Sequence, residues 1–420
     1  MAVKNSPADE PLPLLILPIP VEHSTLEEVT NASGLSLSEL QTTALQNNPS
    51  LTVAAARWNA ARGKQFQAGR YPNPVAGYHA TEVGNLGTAG SQGGFVSQRF
   101  VTGGKLELDQ AAAGETVREH DYLYRAQERR IMTDVTIRFY EALSAQKKVE
   151  LTEQLVSIGD DLVRSTEKLL EARQSSENDL LQAQIRADQA EILFDNARNQ
   201  SEETWRRLMV VVGTPTMQVT PLHGQLHPTG EELDWERCYA SVLASHPDLN
   251  AARARAEQAR ILISRAHQEP IPNVDLFVSM RHNNLTDSDV ANVQIGVPIP
   301  VFNKNRGNIR AADANWIAAC HDIKRIELAL QDQLAVAFRR YANALQQQQK
   351  YQDKILPRAA RSLALVRKGY DNGQVEYLTL LTSLETYVQA SLTHLDALRE
   401  LQSAKALLEG QLLSSSLQMR

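Results

Sequence analysis

The chain is poor in cysteine and aromatic residues, and it has no long apolar run. Cys238 and Cys320 are the only cysteines among 420 residues, too few for a disulfide framework, and neither has neighbours at metal-ligand spacing. Aromatic residues make up 5% of the chain. No stretch of about 18 uninterrupted apolar residues occurs, which excludes a transmembrane helix but not a transmembrane β-barrel, whose strands are short and alternate. Charge of one sign is not in excess either: 43 basic and 49 acidic side chains leave a net charge of −6. No polyelectrolyte partner, nucleic acid included, is called for. The pairs Arg129-Arg130, Arg206-Arg207 and Arg339-Arg340 read as solvated helix faces. The start lacks a basic region followed by an unbroken apolar run, because Pro11, Pro13, Pro18 and Pro20 interrupt it. No signal peptide is recognisable there. No cysteine that could carry an acyl anchor precedes Cys238.

Proline is missing from residues 105–214, and within 115–212 the only glycine is Gly159. Such a stretch predicts helix of unusual length. At about 1.5 Å per residue, residues 105–172 would span on the order of 100 Å, longer than any ordinary globular core. Leu151, Leu155, Ile158, Leu162 and Leu169 recur at steps of four and three, the spacing of a coiled-coil seam. Arg173-Gln174-Ser175-Ser176-Glu177-Asn178-Asp179 predicts the reversal, and the chain returns through 179–212.

What is present is a plan used twice. Asn48-Pro49 is echoed by His246-Pro247, and Pro72-Asn73-Pro74 by Pro270-Ile271-Pro272, at one offset of about 198 residues. Each half predicts a helix, a strand pair, a long helix and a return helix. The strand pairs are 75–83 with 94–101 and 273–281 with 292–301, joined by a glycine-rich loop over 84–93 and a polar loop over 283–289. Val274, Leu276, Val278 and Met280 alternate with Asp275, Phe277, Ser279 and Arg281; Val293, Ile295, Val297, Ile299 and Val301 alternate likewise. In the second long helix Tyr341, Leu345, Gln348, Gln352 and Ile355 keep heptad-like steps, and Pro357 predicts a kink or a break into two packed helices. Its reversal is Gly369-Tyr370-Asp371-Asn372-Gly373-Gln374-Val375, after which the chain returns from Tyr377 to about Leu413. The predicted organisation is an extended Pro-rich arm over 1–36, a first repeat over 37–213, a connector over 214–234, a second repeat over 235–413 and a tail over 414–420.

Four amphipathic strands do not close a barrel of useful diameter, and helices this long do not make a compact bundle. Closure by several copies of the chain answers both problems. With its tandem repeat, Asn-Pro and Pro-x-Pro marks, two hairpins and a tip of Tyr370-Asp371-Asn372-Gly373 followed by Tyr377-Leu378, the chain resembles the TolC family of outer-membrane efflux ducts over residues 37–413. The resemblance implies a mainly α fold with a small β part. Three chains would form a coiled-coil α-barrel crossing the periplasm and, from four strands each, a twelve-stranded barrel in outer-membrane lipid. It further implies a passive exit duct, not an enzyme, that needs no cofactor and docks a periplasmic adaptor and an inner-membrane pump. Carried over, Tyr370 matches the tip tyrosine of the constriction and Asp179 its acidic partner, with Asp371, Gly373, Thr379 and Thr382 in the same aperture and docking region. The arginine expected after Gly373 is Val375 here, and the acidic ring positions are Thr379 and Thr382. The mouth is therefore expected without the familiar charged ring. A bland alternative is that Tyr370 and Asp179 only cap helices.

Enzyme readings lack support. Gly84, Gly87, Gly90, Gly93 and Gly94 have no phosphate-loop spacing, and Gly103-Gly104-Lys105 lacks the upstream glycine of a P-loop. The run from Ala89 to Gly93 misses the first glycine of a nucleophile elbow. His223 and His227 lie in a connector that Gly224 and Pro228 keep from being helical, so solvent exposure is expected rather than a metal. A helical-bundle metalloenzyme would need Glu-x-x-His pairs, which are absent. The competing class is a soluble coiled-coil scaffold or interaction protein with a small β-domain.

Overall fold

A computed structural model describes residues 34–87, 89–173, 175–227, 232–371 and 374–418. The predicted Pro-rich arm, apart from its last three residues, lies outside the described residues. The first repeat runs β1 (Leu35–Ser36), α1 (Leu37–Asn47), α2 (Pro49–Ala68), β2 (Val75–Thr81), β3 (Ser91–Phe100), α3 (Lys105–Glu171) and α4 (Glu177–Val212). After β4 (Leu222–His223) the second gives α5 (Trp235–Ser245), α6 (Pro247–Gln268), β5 (Val274–Asn283), β6 (Ser288–Gly296), α7 (Arg306–Lys350), a π-helical segment (Tyr351–Ile355), α8 (Leu356–Asp371) and α9 (Tyr377–Glu409). The helix of 67 residues, α3, is the spine. No described helix is long and apolar enough to cross a membrane.

The duplication is visible in packing. Asn48 ends α1 and starts α2, its Oδ1 accepting from the Ser50 amide; His246 does the same between α5 and α6, its Nδ1 accepting from the Asp248 amide at 3.2 Å. Both capping residues are followed by proline at the first helical position, where a missing N–H costs nothing. One core centres on each repeat, the first also taking in Leu398 of α9. In the first, Leu40, Ile131, Phe139, Trp205 and Leu208 bring α1, α3 and α4 together. In the second, Leu334, Tyr341, Leu401 and Leu408 join α7 to α9, with Trp235 and Tyr239 of α5 against them.

The two strand pairs merge into one antiparallel sheet in the order β2-β3-β5-β6. Register puts Val96 beside Val278 and Val278 beside Val293, so Tyr78, Val96, Val278, Met280, Val293 and Ile295 share one face and stay exposed. Strand ends differ from expectation. Strand β5 extends to Asn283 and β6 begins at Ser288, because the Asn283 side chain accepts from the Leu285 amide and Asp287 takes a left-handed φ of 52°, closing a tighter turn. At the other end β6 stops at Gly296, although Val297, Ile299 and Val301 keep the alternation. Pro298 and Pro300 have no N–H for the ladder.

Pro357 does not break the helix into two. The chain stays helical from Arg306 to Asp371, and the π-helical turn at Tyr351–Ile355 contains Asp353, the residue whose carbonyl the proline ring would otherwise strike. The seam of α3 also differs in its residues. Thr152, Leu155, Gly159 and Thr166 are buried, whereas Leu151, Ile158 and Leu169 are half-buried. Small residues sit where α3 and α4 come closest: a Cβ on Gly159 would lie 3.2 Å from Cα of Ala187. The Thr152 and Thr166 hydroxyls are satisfied by donating to the carbonyls of Lys148 and Leu162, so they can be buried there.

Candidate functional site

The two reversals meet at one end of the molecule. Ala183 of α4 and Leu381 of α9 are buried together, and Leu162 and Val163 of α3 and Tyr370 of α8 pack on them. Four helices thus share a small apolar cluster just behind the tips. Arg186 of α4 pairs with Glu385 of α9 across the same seam.

The first tip is built by capping chemistry. Past α3 the chain turns at Arg173, whose φ of 59° is left-handed. Ser176 then caps α4 in a reciprocal box: its hydroxyl accepts from the Asp179 amide at 3.2 Å, and its own amide donates to Asp179 Oδ2 at 2.9 Å. The hydroxyls of Ser176 and Ser175 donate to the same oxygen at 2.8 and 3.1 Å. The backbone and side-chain bonds from Ser176 hold the Asp179 carboxyl below its ordinary pKa, so it stays ionised at neutral pH. Its position in the box gives Asp179 a structural duty that the bland reading anticipated.

At the second tip the Gln374 amide donates to the Gly369 carbonyl at 2.8 Å, and a Cβ on Gly369 would lie 2.6 Å from Cγ2 of Val375. Val375, standing where a charged residue was expected, is folded back as the apolar clasp of the turn. Tyr370 is half-buried. Asp371 is the last residue of α8, and Gly373 lies outside the described residues. Thr379 and Thr382 are exposed on the first turns of α9, with the Thr382 hydroxyl donating to the Leu378 carbonyl at 2.9 Å. The aperture residues expected from sequence that the structure describes, Asp179, Tyr370, Asp371, Thr379 and Thr382, therefore lie on the two tips. Arg186 and Glu385 were not expected; opposite charges at the same depth behind two predicted tips were the available signal.

Behind the first tip, α3 and α4 leave a groove of about 460 Å³ lined by Asp160, Arg164, Glu167, Asp188 and Glu191. Acidic side chains outnumber the basic one. A larger groove of about 660 Å³ lies between Leu193 of α4, the π-helical turn and α9.

The remaining candidates take structural places. Lys105 is buried, and its ammonium donates to the Ile271 carbonyl at 2.6 Å and Asn273 Oδ1 at 2.9 Å, tying the root of α3 to the second Pro-x-Pro turn. His223 and His227 are exposed, the latter with its ring 6.2 Å from that of His394. Among the described residues no group of three or more His, Cys, Asp or Glu is placed to hold a metal ion.

A family model described as outer membrane efflux protein matches residues 40–214 and again 238–412, the second match beginning and ending 198 residues after the first. The cobalt-zinc-cadmium resistance protein CzcC of Cupriavidus metallidurans is 22% identical over 373 residues, 87% of each chain. Among solved structures, a membrane protein from Pseudomonas aeruginosa superposes with a TM-score of 0.76 at 17% identity, covering 90% of this chain and 92% of that one. The outer membrane protein VceC of Vibrio cholerae gives 0.73 at 19% identity over 90% and 96%. The fold is that of the helical-barrel channels: coiled helices of an α-barrel joined to strands of a transmembrane β-barrel, in two tandem repeats. By the double match of its repeats, this chain belongs to the outer membrane efflux protein family.

Proposed function

We infer that this outer-membrane efflux channel, which extends into the periplasm and is not an enzyme, works as a passive homotrimeric exit duct of a tripartite efflux or secretion system. The observation that carries the reading is the sheet. Strands β3, β5 and β6, of 10, 10 and 9 residues, have the length needed to cross a bilayer with tilt, and β2, of 7, is shorter. Their apolar face is exposed, and β2 and β6 each have one edge unpaired among the described residues. Unpaired edges cannot stand in hydrocarbon, where every backbone N–H and C=O must be bonded. Joining β6 of one copy to β2 of the next, three times, removes all edges and gives twelve strands.

The helices follow into a tube whose far end carries Asp179, Tyr370, Asp371, Gly373, Thr379 and Thr382. We assign this end to the aperture and to the docking of a periplasmic adaptor, through which an inner-membrane pump is engaged. The acidic groove between α3 and α4 fits a helical hairpin carrying basic side chains. Driving force then comes from the pump, since this chain has no nucleotide-binding loop.

Membrane fractionation and native mass measurement test the reading. The chain is expected in the outer membrane, and in detergent at about three times its 46.6 kDa mass. A monodisperse monomer that stays soluble without detergent would overturn it. Single cysteines at Thr382 and Asp188, in a chain with Cys238 and Cys320 replaced, should cross-link to the adaptor's hairpin. Cross-linking that instead concentrates on the sheet loops would move the docking surface elsewhere.

A further inference from the structure

The sheet carries an aromatic pair on the face opposite its apolar stripe, where Val75 and Val290 are the other large apolar side chains. Arg99, Asp275, Ser279 and Arg281 project opposite the exposed apolar stripe, as strand alternation requires. Phe95 and Phe277 are on that polar face too. Register sets Phe95 across from Gly77 and Ser279, and Phe277 across from Ser97, which makes the two rings diagonal neighbours on adjacent strands. Their centroids are 5.3 Å apart with planes at 24°. On the other side, Phe95 reaches over β2: a Cβ on Gly77 would lie 2.7 Å from Cε1 of Phe95, and the glycine leaves the room it needs. The pair therefore spans three strands along the hydrogen-bonding direction, which in a closed barrel is the circumference. Polar tiers bracket it. On one side Arg99 Nε donates to Asp275 Oδ1 at 2.7 Å; on the other Arg281 donates to the Thr81 hydroxyl at 3.0 Å.

Lipid takes the face of Tyr78, Val96 and Ile295, so the face of Phe95 and Phe277 turns to the lumen. Stacking and the cover over Gly77 leave both rings only half-buried, so aromatic surface stays open to a water-filled passage. We propose that Phe95 and Phe277 of three copies form an aromatic belt inside the barrel that engages solutes bearing an aromatic face, aromatic cations above all. Ring quadrupoles attract such cations, and flat solutes stack on the rings with no directional hydrogen bond to break on release. This inference rests on the trimeric duct proposed above.

The test is current block in planar bilayers holding the full-length protein. Tetraphenylphosphonium is added on the side of the strand loops, with tetramethylammonium as a cation of equal charge without rings. The unaltered channel should be blocked by the first and far less by the second. Phe95→Ser with Phe277→Ser should need at least about fivefold more tetraphenylphosphonium for half block, whereas Phe95→Tyr with Phe277→Tyr should keep it. If the serine variant fails to assemble, Phe95→Leu with Phe277→Leu keeps the apolar volume and should show the same loss. Equal block in the aromatic and non-aromatic channels overturns the belt and leaves the rings a role in sheet stability alone; no block of the unaltered channel does the same. A chain that opens no channel overturns the duct itself, a distinguishable failure.

Discussion

Asn48 and His246 hold the same place in the two repeats: each is 1% exposed, each ends one short helix and caps the next through a side-chain atom accepting a backbone N–H two residues on. They differ in their second polar atom. Asn48 Nδ2 donates to the Val211 carbonyl at 2.7 Å, tying α1 and α2 to the end of α4, whereas the buried His246 Nε2 has the Gln411 backbone beside it and makes no bond of comparable geometry.

That difference predicts unequal mutational costs. Asn48→Ala removes both the cap and a buried bond and should destabilise the protein by about 2–3 kcal/mol. Thermal unfolding followed by helical circular dichroism in detergent should show it. His246→Asn keeps a capping oxygen and should cost less; an equal loss in both variants would mean that the bond to Val211 contributes nothing.

Acid should act through His246. Burial lowers its pKa from the ordinary 6.5, helped by Arg130 and Arg129, against the opposing pull of Asp248 and of the Gln411 backbone. The Nδ1 lone pair that accepts the Asp248 amide is lost on protonation. Since the unfolded histidine takes its proton first as pH falls, its contribution is complete above about pH 6.5 and is lost as pH drops below that value. His246→Asn should flatten this part of the stability profile between pH 7 and 5. A profile of unchanged slope would exclude the ring as its source.

Gly159 sets the distance between α3 and α4. Gly159→Leu should force the helices apart at Ala187 and cost about 1–3 kcal/mol, because the contact has no room for a branched side chain. Gly159→Ala, whose Cβ meets Ala187 at 3.2 Å, should be milder. Cysteine cross-linking between Thr152 and α4 positions reads the separation directly.

At the aperture, Asp179→Ala with Tyr370→Phe should raise single-channel conductance if the two residues form a lock. Asp179→Ala alone also dismantles the capping box, so Asp179→Asn supplies the control: it keeps an acceptor for Ser176 but carries no charge. Raised conductance in both aspartate variants assigns a gating role; a rise in Ala alone assigns the effect to a frayed helix end. Unchanged conductance in the double variant removes both as gate residues.

Lys105→Met should leave the Ile271 carbonyl without the ammonium that donates to it, and Asn273 Oδ1 with the longer bond from the Thr102 amide, at a cost of about 1–3 kcal/mol. Because the bond joins the root of α3 to the second Pro-x-Pro turn, the loss should appear as a lower dissociation temperature of the detergent-resistant oligomer. An unshifted temperature would place the strength of that corner in the backbone alone.

The amino-acid sequence determined the large plan. Absence of proline over 105–214 dictates the spine, alternation around Val278 dictates a half-apolar sheet, and Asn48-Pro49 with His246-Pro247 declare the duplication, because these are local rules that need no neighbour. Its errors lie where two segments meet. Of the leucines and isoleucine whose heptad spacing reads as the seam of α3, Leu155 is buried, and Thr152, Gly159 and Thr166 fill the other buried places, because how closely two helices approach depends on the partner's side chains. The run from Val297 to Val301 kept the strand pattern without being strand, since pairing needs N–H groups that Pro298 and Pro300 lack. Pro357 was readable as a disturbance, but only the folded chain decided that a π-helical turn absorbs it. Placement of the two tips side by side, the Arg186 and Glu385 contact between them, and the turning of Phe95 and Phe277 to one face with Gly77 are likewise tertiary. Apart from Phe95 over Gly77, the residues that meet there are more than a hundred positions apart, and no periodicity within either segment encodes the meeting.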